Sequence, residues 1–303
     1  MKGQPRDDLL EPLPMSPLIP CFEPFAIPLF GNLSIHMFGI LVALGFLLGG
    51  NLAQRKAARF GVDPEFINQL IGWLVLGTFV GGHLGHLIFY EPFRLADDLK
   101  TIASGSFSPL DLNILQVWHG LSSYGGFMAC IPITIWFFRK YQQPYWQHAD
   151  ALAIGFALGW FFGRMGCFSA HDHPGPISDF FLAVPGGCSS ETGKLNCAVA
   201  CHDMGLYEAL WSGFTWVLFE VLDRRPRFTG FYVGLLPLMY GPYRFMSDFL
   251  RSHPVDVRYF GLTPAQYGSV VLSALGVWIL YSRSRANQMP GPAFVIPPPK
   301  KTA

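Results

Sequence analysis

Four stretches of this chain contain no charged residue: 37–54, 66–90, 112–138 and 259–282. A helix needs about 20 apolar residues to cross the hydrocarbon core of a bilayer, so each stretch has the length of a membrane span. Two further stretches, 151–170 and 228–247, are interrupted only by Arg164 and by Arg244. A seventh, 206–222, is bracketed by Glu208 and Glu220. Composition agrees with these local signals. Charged residues make up 14% of the 303, against about 25% in ordinary soluble domains, and Phe alone contributes 28. So much apolar surface with so few charges excludes a disordered chain or a coiled coil, and a net charge of +1 gives no pull toward nucleic acid. The expected fold class is an all-α polytopic membrane protein with seven transmembrane helices and a small cap on its outer face.

Orientation follows from the loops. One alternating set carries Arg55, Lys56, Arg59, Arg139, Lys140, Arg224, Arg225, Arg227, Arg283, Arg285, Lys300 and Lys301, twelve in all, against seven in the longer segments of the other set. Basic loops stay in the cytoplasm, so the N-terminus is expected outside and the C-terminus inside. The Pro-rich segment 1–34 lacks the basic and apolar regions of a cleaved signal peptide. Residues 35–284 form the seven-helix domain, with outer segments at 91–116 and 171–205, and 285–303 reads as a disordered cytoplasmic tail.

Small residues recur at four-residue steps: Gly45, Gly49 and Ala53; Gly77, Gly81 and Gly85; Gly155, Gly159 and Gly163. Such stripes let helix backbones approach closely. Two of them end beside polar residues, His83 and His86 in one case and Arg164 in the other.

An ionisable residue inside a span is rare and usually faces an interior. Counting about 1.5 Å per residue along each helix puts Arg164, Arg244, His83 and Tyr124 at one level, in the outer half of the membrane. Two arginines at that depth suit a lipid phosphate or another anion. Tyr240, Arg244, Asp248 and Arg251 share one helix face, so Asp248 can hold Arg244 while its other donors face a ligand. The outer segment also holds His171, His173, Cys188, Cys197, Cys201 and His202, whose spacing matches neither a zinc nor a haem-attachment pattern. A disulfide among these cysteines fits an oxidising compartment. Cys130 and Cys167 read as small apolar residues of the spans.

These residues stand in motifs: WHGLSSYGG at 118–126, GRMGCF at 163–168, HDMGLYE at 202–208 and YGPYRFMSDFLR at 240–251, with IHMFG at 35–39 and GGHLGHLIFY at 81–90. The series resembles that of the prolipoprotein diacylglyceryl transferases over about 35–281. The resemblance implies a seven-span bacterial inner-membrane enzyme whose cap is periplasmic. Such an enzyme moves the diacylglyceryl group of phosphatidylglycerol to the lipobox cysteine thiol of a preprolipoprotein, with release of glycerol 1-phosphate. The two family arginines fall on Arg164 and Arg244, and the Tyr-Glu pair on Tyr207 and Glu208. Asp248 stands where Glu is usual, Tyr124 where a His precedes Gly125 and Gly126, Cys167 for Asn, Phe38 for Tyr and His83 for Arg. Arg164, Arg244 and Tyr124 are the expected catalytic residues. Tyr240, Asp248, Glu208, Tyr207, His83, Cys167, Gly125 and Gly126 are expected to bind substrate. The thiol's base is open between Tyr124 and His119, His171 or His202. No metal or organic cofactor is implied.

Other readings fit less well. A non-catalytic relative that binds phospholipid or lipoprotein is the alternative. An anion or lipid transporter lacks an inverted repeat and paired broken helices, and Ser122 and Ser123 lack the frame of an intramembrane protease.

Overall fold

A computed structural model describes residues 17–28, 34–105, 112–116, 120, 122–188, 195–251 and 259–294, with only the backbone of Ser123 and Tyr124. Strands β1 (Ala26–Pro28) and β2 (Ser34–His36) pair antiparallel and lead into α1 (Met37–Arg59). Then come α2 (Pro64–Phe89), the short α3 (Pro92–Ala103), α4 (Ser123–Tyr141) and α5 (Tyr145–Ala170). Strands β3 (Pro174–Ile177), β4 (Val184–Pro185) and β5 (Ala200–Asp203) follow, and α6 (Met204–Leu222), α7 (Phe231–Ser247) and α8 (Pro264–Ala286) complete the chain.

The protein is mostly helical, and α1, α2, α5 and α8 are each long and apolar enough to cross a membrane. The other long helices have 17 to 19 residues and carry prolines or charges: Pro132 in α4, Glu208 and Glu220 in α6, Pro237 and Pro242 in α7. Large apolar side chains are exposed along the bundle, among them Leu47, Ile131, Trp136, Phe214, Val271 and Trp278. An apolar exterior over a helical interior is the arrangement a lipid solvent selects.

The small-residue stripes are contact lines. A Cβ on Gly49 would lie 2.6 Å from the Gly155 carbonyl oxygen, and one on Gly45 2.7 Å from that of Gly159, so α1 and α5 meet backbone to backbone. A Cβ on Gly81 would lie 2.7 Å from the Gly125 oxygen, which seats α2 on the start of α4. Beyond the α1–α5 line, Ala57, Ile67, Ala151, Ile154, Phe219 and Tyr232 form a buried apolar cluster.

Three features differ from the expectations. First, the fold is not purely helical. Among the described residues of 171–205, β5 pairs antiparallel with β3 on one side and β4 on the other. Disulfides Cys188–Cys201 and Cys21–Cys197 cross-link this region. Cys21 was absent from the cysteines expected to pair, although three cysteines leave one over and parity asks for a fourth. Second, the uncharged run at 112–138 is not one helix. Asn113–Leu115 is a 3₁₀ turn, Gly120 takes φ +72°, and α4 starts only at Ser123, with the Ser122 hydroxyl accepting the Gly125 N–H at 3.5 Å. Tyr124 therefore stands in the first turn of α4. Third, α8 continues to Ala286, and the described part of the tail is attached: the Thr229 N–H donates to the Gln288 carbonyl at 2.7 Å, and the Phe294 N–H to that of Ala58 at 2.7 Å. Residues 295–303 lie outside the described residues.

Candidate active site

Asp150 sets the relation of the two arginine helices. It sits near the start of α5, and its carboxylate accepts the N–H groups of Gly230 at 2.6 Å and Val233 at 2.9 Å at the start of α7. The two helices thus begin together and run parallel. Arg164 lies fourteen residues past Asp150, and Arg244 fourteen past Gly230, so at about 1.5 Å per residue both rise roughly 21 Å to one level.

Glu208, buried in the second turn of α6, lies between them. Its Oε2 is 3.2 Å from Arg164 Nε, while Oε1 accepts Trp160 Nε1–H at 3.0 Å and the Tyr240 hydroxyl at 2.7 Å. Trp160, one turn before Arg164 on α5, also places its ring 4.7 Å from the guanidinium. Arg164 is thereby gripped on one edge by a carboxylate and on one face by an indole, a cation–π arrangement. Trp211 packs against Tyr240 and Tyr243, at 5.2 and 5.1 Å between ring centroids. The burial of Glu208 is offset by three donors, which a carboxylate away from water requires.

Arg244, one turn after Tyr240 on α7, donates from Nη1 to Asp248 Oδ1 at 2.7 Å. The other Asp248 oxygen accepts the Thr263 hydroxyl, and Arg251 Nε stands 3.7 Å from Oδ1. Thr263 is itself the N-cap of α8, within a capping box: its hydroxyl accepts the Gln266 N–H at 3.2 Å, and Gln266 Oε1 accepts the Thr263 N–H at 3.0 Å. The side chains of Arg164 and Arg244 remain 17% and 14% exposed, so each keeps donors accessible beyond its carboxylate.

The remaining expected site residues spread around this pair. Cys167 Sγ is 4.0 Å from Arg164 Nη1, at the end of α5. Tyr207 turns the other way from Glu208 and shares a 2.7 Å hydrogen bond with His202 Nδ1 on β5, beside the Phe180 ring. His83, buried in α2, sits against the loop ahead of α4, with Nε2 2.9 Å from the Asn113 carbonyl and Nδ1 3.4 Å from that of Gly120. It fastens the segment that leads into Tyr124. Gly125 lies against Gly81 and Gly85, and Gly126 against Thr78, so both fix the α2–α4 approach. The side chain of Tyr124 and all of His119 lie outside the described residues. His171 caps α5 in the left-handed conformation and is buried against Phe22. Sequence reasoning missed Trp160, Trp211, Tyr243 and Thr263. Helical spacing from Arg164 and Glu208 points to the two indoles, and the Thr-Pro-Ala-Gln run at 263–266 is a capping-box signature.

Cys167, Asp172 and His173 bring possible metal-ligand atoms within 4.8 Å of one another. Arg164 is in hydrogen-bond range of the same thiol and would repel a cation there. Burial and the charges of Arg164 and Arg251 hold His173 below the usual histidine range and so neutral. A neutral imidazole can still ligate, so the charge of Arg164 is what opposes a metal ion at this trio.

The sequence has relatives. The prolipoprotein diacylglyceryl transferase family model matches residues 24–282. The chain belongs to the prolipoprotein diacylglyceryl transferase family. Proteins named phosphatidylglycerol–prolipoprotein diacylglyceryl transferase are similar to it along most of their length. That of Chromohalobacter salexigens is 32% identical over 267 residues, 85% of this chain and 91% of the relative. That of Solidesulfovibrio magneticus is 32% identical over 274 residues, 88% and 96% of the two chains. That of Stenotrophomonas maltophilia is 31% identical over 288 residues, 87% and 92%. All the site residues just described lie within the stretch matched by the family model.

Proposed function

We propose that this family member transfers the diacylglyceryl group of phosphatidylglycerol to the lipobox cysteine of a preprolipoprotein, with Arg164 and Arg244 gripping the lipid phosphate. The observation that carries the reading is the pair itself: two accessible guanidinium groups at one level, each fixed by a buried carboxylate, on parallel helices joined through Glu208 and Tyr240. Fixed cations aimed at a phosphate stabilise the charge that grows as a phosphoester leaves. The cysteine sulfur attacks the glycerol carbon. The new carbon–sulfur bond forms as the carbon–oxygen bond to phosphate breaks, and the electron pair of that bond departs on glycerol 1-phosphate. The thiol proton goes to a base, for which Tyr124, His119 and His202 are the candidates, since His171 is fully buried between Phe22 and Asp203. Glu208 and Asp248 orient the arginines, and Tyr240 stands between them. No metal or organic cofactor enters the reaction.

The same reading places the chain in the bacterial inner membrane with seven spans, α1, α2 and α4 to α8, the N-terminus periplasmic and the tail cytoplasmic. Segments 91–116 and 171–205 form the periplasmic cap. The basic loops and the two disulfides on the outer side support it. The test is lipid transfer to a lipobox peptide in vesicles. Arg164→Ala and Arg244→Ala are each expected to lower turnover by at least ~100-fold, and Lys at either position should rescue poorly because the planar fork is lost. Near-normal turnover in a well-expressed Ala variant removes that arginine from the mechanism.

A further inference from the structure

A second cluster of arginines lies at the opposite end of the bundle. A cavity of about 240 Å³ there is lined by Arg59 from the end of α1, Asp150 from α5, and Asp223, Arg224, Arg227 and Tyr232 around the α6–α7 turn. Its carboxylates are already engaged. Asp150 accepts the Gly230 and Val233 N–H groups, and Asp223 accepts Lys56 Nζ and Arg59 Nη1, each at 2.6 Å. The arginines are less committed. Arg224 is exposed and makes no side-chain hydrogen bond or ion pair among the described residues. Arg227 is half-buried, lies 5.2 Å from the Phe231 ring and, among the described residues, donates only Nε, at 3.4 Å, to the Leu222 carbonyl. Two guanidinium groups with free terminal nitrogens thus border a space several times the size of one phosphate.

We infer that this cavity is an anion site for a phosphate group, separate from the Arg164–Arg244 pair and formed chiefly by Arg224 and Arg227. Paired guanidinium groups match phosphate oxygens in bidentate geometry, and the partly buried wall weakens screening by salt. The site lies about 20 Å along α5 and α7 from the outer arginines, by the helical rise, so one phosphate cannot reach both. Asp150 ties the cavity to the N-terminus of the helix that carries Arg244. The phosphate can come from a lipid headgroup or from a free anion, and the inference does not depend on the transferase reading.

The test is equilibrium dialysis of the purified full-length chain in maltoside micelles against radiolabelled inorganic phosphate. An Arg164→Ala/Arg244→Ala background silences the outer pair. Arg224→Gln/Arg227→Gln should weaken phosphate binding at least tenfold, while Arg225→Gln, which removes one charge just outside the cavity and so matches Arg224→Gln alone, should leave it intact. Arg224 is exposed, so Arg224→Gln alone provides a variant that folds if the double one does not, with a smaller loss in the same direction. Displacement by micelles carrying phosphatidic acid identifies a lipid headgroup, and retention against them identifies a free anion. Absence of any phosphate binding in the outer-pair background overturns the site, as does equal binding in the Arg224→Gln/Arg227→Gln and Arg225→Gln proteins.

Discussion

At the scale of single residues, Glu208 organises the end of the bundle that carries the two arginines, since it receives Arg164, Trp160 and Tyr240 at once. Trp160→Phe keeps a ring beneath Arg164 but deletes the donor to Glu208. Turnover in lipid transfer is expected to fall about tenfold, a loss of ~1.4 kcal/mol, with a smaller change in KM because the guanidinium itself remains. Unchanged kinetics would show that the indole N–H has no part in holding the pair. His171 makes a different kind of contribution. Burial alone would depress its pKa, but the Asp203 carboxylate 3.9 Å away and the Phe22 carbonyl outweigh burial and raise it above the usual 6.5. A raised folded pKa stabilises the protein fully below the unfolded value, and that stability is lost as pH climbs through the folded one. The unfolding midpoint should therefore drop as pH rises above the usual histidine value of about 6.5, and His171→Gln should flatten the slope. A slope unaffected by the substitution would assign the pH dependence to another group.

At the scale of elements, backbone contact between α1 and α5 sets the position of Arg164. A Cβ on Gly49 meets the Gly155 oxygen at 2.6 Å and Gly159 Cα at 3.1 Å, both backbone atoms that cannot turn aside. Gly49→Val should cost about 1–3 kcal/mol through overpacking. Gly72→Val, where nothing lies within 4 Å of the added Cβ, is the neutral control. Thermal unfolding in detergent separates the two, and equal midpoints would mean that the helices slide apart without cost. The α7–α8 junction uses another device. Asp248 receives both Arg244 and the Thr263 hydroxyl, so the capping residue of one helix also steadies a site residue of its neighbour.

For the whole molecule, the proposed topology makes one collective prediction. Reporter fusions after residues 61, 143, 226 and 290 should all report the cytoplasm. A periplasmic signal at any one of them breaks the seven-span arrangement at that point. The two ends of the bundle then have distinct chemistry: disulfides, short strands and the Glu208 cluster at one, and at the other the Lys56–Asp223–Arg59 ion pairs, the basic cavity and the attached 287–294 segment. The ion pairs lie where α1 meets the α6–α7 turn, and the tail crosses the same end.

The sequence by itself determined the solvent, the helical class and the residues that carry charge into the membrane. Uncharged runs, basic loops and four-residue glycine steps are local patterns, and a bilayer admits few ways to satisfy them. The motifs marked Arg164, Arg244, Glu208 and Asp248 as a set, but linear spacing says nothing about partners on other helices. Only the tertiary structure decided that Glu208 takes Arg164 and Tyr240, that Asp248 takes Thr263, and that His83 braces the loop ahead of α4. The late start of α4 and the attached tail also escaped the linear reading. A turn at Gly120 depends on the loop being held by α2, and the segment at 287–294 is fixed by backbone groups near Ala58 and Thr229, far away in sequence. Cys21 was in plain sight, yet its pairing required the chain to bring together cysteines 176 residues apart. Composition and period choose the environment of each helix, whereas contacts between distant residues arise only when the helices pack.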